Sequence, residues 1–244
     1  MKKILWIAVM AVMVASSLLM GCSSSSGKIR IATDATWKPF EYVDDNKNIV
    51  GFDIDVMNAI AEKENLNIEF VDVPFDPLLA GMAQGTYDCA ISSITITADR
   101  QKDMLFSDPY FVAGQMVVVQ KSNTTILGIN TITGNIGAQI GTTGAAEVEK
   151  VTGATLKTYD EIGLAFQDLM NGQINAVVCD NPVAQGYVSK NPDKLKTVGG
   201  LFTSENYGIA VAKGKTELLE KINAGIKAIK ADGLIDELSK KWLE

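Results

Sequence analysis

Ala90-Ile91-Ser92-Ser93-Ile94-Thr95-Ile96-Thr97-Ala98-Asp99-Arg100 leads a β-branched strand into a hydroxyl-rich turn, and a guanidinium follows five residues after Thr95. Hydroxyls and turn amides donate to an anion, and an arginine closes on it as a rigid two-pronged fork. That chemistry suits a small carboxylate. The complementary charge comes much later, at Asp180, after the strand Asn175-Ala176-Val177-Val178-Cys179. A guanidinium for an acid group and a carboxylate for an ammonium together describe a free amino acid.

Outward from this stretch, short apolar strands alternate with helical patterns from Lys28 to the C-terminus, which predicts an α/β architecture. The strand candidates are Lys28–Thr33, Asn67–Asp72, Asp88–Ser92, Gln115–Gln120, Asn135–Ala138, Thr155–Tyr159, Ala176–Cys179 and Tyr207–Ala212. One helix starts at Asp53, with Val56, Met57, Ile60 and Ala61 on its apolar face. A second runs from Pro77 to Gln84, and a third from Glu161 to Asn171 with Asp160 as its N-cap and Gly172 past its end. The tail from Thr216 to Trp242 is amphipathic and broken near Gly233. No Pro- or Gly-rich linker divides the chain. Two extended segments, 110–114 and 206–209, mark the crossings between a discontinuous first lobe (28–109 with 210–244) and a second lobe (115–205). Two neighbouring strands that bend at a few dihedrals make a hinge.

The N-terminus reads as a processing signal. Lys2 and Lys3 form a basic start, Ile4 to Met20 is largely apolar, and Leu19-Met20-Gly21-Cys22 resembles a lipoprotein cleavage box, although Met20 is unusual in one. Residues 1–21 are then the signal peptide, Cys22 the lipid-attachment residue, and 22–27 a serine-rich tether. The alternative is an uncleaved membrane helix, for which 17 residues is at the short limit. Removing residues 1–21 takes away two of the 22 cationic side chains and leaves 20 against 29 acidic ones, a charge of −9. An acidic surface of that size excludes nucleic acid as a partner. Histidine is absent, which removes the commonest metal ligand and general base together. No metal and no cofactor is expected. Cys89 and Cys179 end strands in different lobes and are expected as free thiols.

With these residues in place, the chain resembles the solute-binding lipoproteins of polar and basic amino-acid ABC importers. The resemblance rests on Ala32-Thr33-Asp34-Ala35-Thr36-Trp37-Lys38-Pro39-Phe40-Glu41, Gly51-Phe52-Asp53-Ile54-Asp55, Ser92 to Thr97, Arg100, Phe106-Ser107-Asp108-Pro109-Tyr110, Gly141-Thr142-Thr143-Gly144 and Tyr207-Gly208-Ile209-Ala210-Val211. It implies a two-lobe type II periplasmic-binding-protein fold, a monomer anchored outside the cytoplasm through lipid, and lobes that close on an L-amino acid before delivery to a membrane permease.

Under that resemblance Arg100 clamps the ligand carboxylate, with Thr95 as a hydroxyl donor. Taken alone, Arg100 could equally pair with Asp99 or Asp103 on the surface. Ser93 would add its amide or hydroxyl, and Ser92 a carbonyl or hydroxyl to the ammonium. Thr142 and Thr143 stand in a loop whose amides begin a helical run, a favourable place for an anion. Asp180 takes the ammonium, or caps the helix from Asn181, or does both with one oxygen each. Trp37 and Phe75 are the aromatic walls. Asp34 faces the distal end of the ligand, and Gln139 meets an ammonium, guanidinium or amide there. Asp34 with a tryptophan face favours arginine or lysine, with glutamine next. Glu41 either adds charge to the cleft or is solvated on the surface. The rival from another class is a cyclohexadienyl dehydratase-like enzyme on the same scaffold, for which Asp34, Glu41 and Asp180 are the available acids.

Overall fold

In a computed structural model, residues 27–244 are described. The signal peptide, Cys22 and most of the serine tether fall outside them. The fold is mixed α/β with two domains, each built on a five-stranded sheet. The first sheet orders Ile68–Asp72, Ile29–Thr33, Cys89–Ala90, Ala210–Val211 and Leu105–Phe106. Its first two pairings are parallel, and Ala210–Val211 returns antiparallel to both of its neighbours. The second sheet orders Ala154–Tyr159, Gly134–Gln139, Ala176–Asp180, Gln115–Gln120 and Leu195–Val198. Its central strand Ala176–Asp180 is buried along its whole length, as expected of a strand covered on both faces.

Helix Phe52–Glu64 buries Phe52, Val56, Met57 and Ile60 and ends on Asn65 in the left-handed conformation. Helix Thr216–Ala231 lies against it with Ile222, Ile226 and Ile229 buried. Gly225 makes that approach feasible, since a Cβ there would sit 2.7 Å from Ile60 Cγ2. The tail does break at Gly233, at φ 75°, before a final helix Leu234–Leu243. No helix among the described residues is long and apolar enough to cross a membrane.

Phe111–Ala113 pairs antiparallel with Glu205–Tyr207 as a separate two-stranded sheet. The predicted strand Tyr207–Ala212 is in fact two: Glu205–Tyr207, in the two-stranded sheet, and Ala210–Val211, in the first five-stranded sheet. An aromatic cluster packs at this junction: Phe40, Phe52, Tyr110, Phe111 and Tyr207, with ring centroids 5.3 Å apart for Phe40 and Phe111 and 5.7 Å for Phe111 and Tyr207.

Several elements were not legible. The three-stranded ribbon Thr36–Trp37, Glu41–Val43 and Ile49–Val50, together with Leu105–Phe106 and Leu195–Val198, went unread because two to four residues cannot display a period. The second helix begins at Phe75 rather than Pro77. The third begins at Ile162 with Glu161 at its cap, because Asp160 instead offers its carbonyl to Gln139 Nε2 at 2.8 Å. Cys89 and Cys179 are buried free thiols.

Candidate ligand-binding site

A small cavity lies between the two sheets' domains. Asp34, Trp37, Phe75, Ser92, Ser93, Thr95 and Arg100 line it from the first domain, and Gln139, Thr142, Thr143 and Asp180 from the second. The sequence candidates thus share one space, although several of them face it differently from expectation.

Arg100 opens a short 3₁₀ turn and reaches across the gap. Its Nη1 donates to the Thr95 carbonyl at 2.8 Å and its Nη2 to the Gly141 carbonyl of the other domain at 2.9 Å. No ion pair with Asp99 or Asp103 forms; Asp99 pairs with Lys102 at 2.6 Å instead. Two bonds leave a guanidinium with three further N–H donors. Its face covers the Phe75 ring at 5.5 Å. Burial lowers the Arg100 pKa, and the charges of Asp180 and Glu205 oppose that shift.

Asp180 ends the central strand of the second sheet and precedes helix Asn181–Lys190. Its side chain makes no capping bond, so the capping role does not hold. Its Oδ1 accepts from Gln115 Nε2 at 3.1 Å. Burial, and then the neighbouring Glu205 charge, push its pKa up to about 7. An ammonium beside it would reverse that shift.

At the opposite wall Asp34 is 2% exposed, accepts from Thr36 Oγ1 at 2.7 Å, and accepts from Gln139 Nε2 of the other domain at 2.7 Å. Burial raises its pKa, and it has no ion-pair partner among the described residues. Both amide hydrogens of Gln139 are taken, one by Asp34 and one by the Asp160 carbonyl.

The hydroxyls depart furthest from expectation. Thr95 Oγ1 donates to Glu205 Oε2 at 2.7 Å, so its single proton is not free for a ligand carboxylate. Thr143 Oγ1 donates to the same oxygen at 2.7 Å. Thr142 caps its helix, accepting from the Ala145 amide at 3.2 Å and donating to the Gln139 carbonyl at 2.7 Å. Ser92 Oγ accepts from the Asp34 amide and donates to Glu41 Oε1, both at 3.0 Å. The Ser93 amide goes to Asp53 Oδ2 at 2.7 Å, which removes it as a ligand donor. Ser93 takes a left-handed φ of 49°, and its buried hydroxyl has no protein partner. Glu41 is fully buried beneath the cavity and fits neither of its two predicted roles.

Sequence reasoning gave no site role to Gln115, Glu205, Asp53 or Tyr110. The side-chain bonds that tie Glu205 to Thr95, Tyr110 to Asp53, and Gln115 to Thr143 and Asp180 span 28 to 110 positions, so no local pattern announces them. Gly144 allows Gln115 its place, because a Cβ there would meet Gln115 Oε1 at 2.7 Å.

The family model of bacterial extracellular solute-binding proteins, family 3, matches residues 29–244. The chain belongs to that family. Among relatives, a probable histidine-binding protein from Neisseria gonorrhoeae is 35% identical over 90% of this chain and 85% of its own length. Two solved structures are similar in fold and sequence. An ancestral arginine-binding protein bound to arginine has a TM-score of 0.85 and 43% identity, covering 89% of this chain and 99% of that one. An ancestral arginine-binding protein bound to glutamine has a TM-score of 0.84 and 44% identity, covering 88% and 97%. In this family-3 protein the polar cavity therefore sits where two domains meet around paired crossing strands.

Proposed function

We propose that this protein binds a polar or basic L-amino acid, arginine or lysine first and glutamine next, between two closing lobes. It would deliver that ligand to an ABC permease and leave it chemically unchanged. One observation carries the reading: Arg100 and Asp180, of opposite charge and from opposite domains, line one small cavity. Asp34 at another wall, held by neutral donors only, supports a cationic end group; the Gln139 amide bound to it supports glutamine as the next choice. The histidine- and arginine-binding names of the relatives support the same class. Residues 28–109 with 210–244 would move as one body and 115–205 as the other, about hinges at 110–114 and 206–209. The leader and Cys22 support an extracytoplasmic lipoprotein tethered to its membrane.

A ligand gripped from both lobes has differential affinity for the closed form, which is what closure requires. A ligand with ten to twelve heavy atoms gives an expected dissociation constant between roughly nanomolar and micromolar. A thermal-shift screen of the twenty L-amino acids tests the reading, because a ligand bound to the native state stabilises it by mass action. Upward shifts confined to basic and polar amino acids are expected. A flat response from protein freed of co-purified ligand by unfolding and refolding would contradict it.

A further inference from the structure

Glu205 begins the second crossing strand and is 8% exposed. Its Oε2 receives the hydroxyls of Thr95, from one lobe, and of Thr143, from the other, each at 2.7 Å. Its Oε1 receives the Thr203 hydroxyl at 2.9 Å. A hydroxyl owns one proton and two lone pairs, and a carboxylate oxygen only accepts. Both protons therefore point toward Glu205, while Thr95 and Thr143 also line the cavity. Thr143 Oγ1 further accepts from Gln115 Nε2 at 3.2 Å, which leaves it one lone pair. The two hydroxyls consequently offer the cavity acceptors and no donor. With the Asp180 carboxylate they make three acceptor groups, the number that the three N–H bonds of an ammonium satisfy.

We propose that Glu205 is a positioning residue: it locks both hydroxyls as acceptors and so selects a ligand bearing a protonated amine over one bearing a hydroxyl at the same carbon. This rests on the amino-acid reading above and adds the source of its selectivity. A site whose buried polar groups match one ligand rejects an analogue that leaves them unpaired. Glu205 acts through Thr95 and Thr143 and need not touch the ligand.

The test is calorimetric titration of the full chain with L-arginine and with its α-hydroxy analogue, 2-hydroxy-5-guanidinopentanoate. The readout is the ratio of the two dissociation constants. Glu205→Leu frees both threonine protons to turn toward the analogue's oxygen, and the ratio should narrow by about tenfold or more. A merely structural loss would weaken both ligands alike and leave the ratio unchanged. Thr95→Val, which keeps the shape and removes one acceptor, should narrow the ratio with Glu205 intact. It supplies the test if Glu205→Leu does not fold. A ratio preserved in either folded variant overturns the role of Glu205 while leaving the ligand class standing. A parent protein that binds no amino acid removes the ligand class and this proposal together.

Discussion

At the residue scale, the cavity is governed by a few charges placed far apart in sequence. Arg100 does double duty, since its two carbonyl bonds already join the lobes and its remaining donors face the space between them. Arg100→Ala should weaken amino-acid binding by about 2–5 kcal/mol, roughly thirtyfold to several thousandfold, as expected when a buried charge loses its partner. Calorimetry would check this, and unchanged affinity would rule out the clamp. Asp180 makes binding depend on pH. With its pKa near 7 before a cation arrives, the group must lose a proton to pair with an ammonium below that pH. Affinity should hold above about pH 7 and fall by up to tenfold per unit below it, with proton release on binding. Titrations in buffers of different ionisation enthalpy would show that release. Arg100, Thr95, Phe75 and Asp180 were legible because each stands in or beside a short patterned stretch. Glu205 and Gln115 were not: an acid or a glutamine that opens a strand carries no trace of partners far along the chain.

At the element scale, buried carboxyls join pieces whose strand or helix patterns say nothing of one another. Glu41, on a three-residue strand, and Asp53, near the start of helix Phe52–Glu64, are both fully buried and lie within hydrogen-bonding reach of each other. Asp53 Oδ2 accepts from the Ser93 amide and, at 2.8 Å, from the Tyr110 hydroxyl. Glu41 Oε2 and Asp53 Oδ1 have no other partner, which fits one proton held between them. Burial first, and then the Asp53 and Asp34 charges, hold the Glu41 pKa well up, while burial raises Asp53 to about 6. A carboxyl whose folded-state value is raised contributes its stability in full below the unfolded value, near 4, and loses it as pH rises through the folded value. The protein should therefore lose stability as pH rises from about 4 through about 6 and above. In Glu41→Gln an amide replaces the shared proton, so the loss should flatten, with a gain on the order of 1 kcal/mol at the alkaline end. Denaturation across that range would show it, and parallel pH profiles for parent and variant would exclude the shared proton. The helical period and the β-branched runs made the main helices and most long strands readable. The Glu41 strand was not, because its identity comes from ribbon pairing and from a buried acid, neither of which leaves a period.

At the scale of the whole molecule, two domains meet around paired crossing strands and hold one another through side chains at the cavity rim. Gln139 reaches Asp34, Arg100 reaches Gly141, and Thr143 shares Glu205 with Thr95. The pairing of Phe111–Ala113 with Glu205–Tyr207 was not visible in the sequence, since the two strands are distant along it and short. The leader predicts a membrane tether through Cys22, and Cys22→Ser should move the protein from the membrane fraction to the aqueous one on cell fractionation. The central claim is that one zwitterion is held by both domains at once. Its most direct test is the crystal structure with whichever amino acid gives the largest thermal shift. The ligand carboxylate should lie on Arg100 and its ammonium on Asp180, both within hydrogen-bond distance. A ligand touching one domain alone, or lying outside the space those two residues share, would contradict the account.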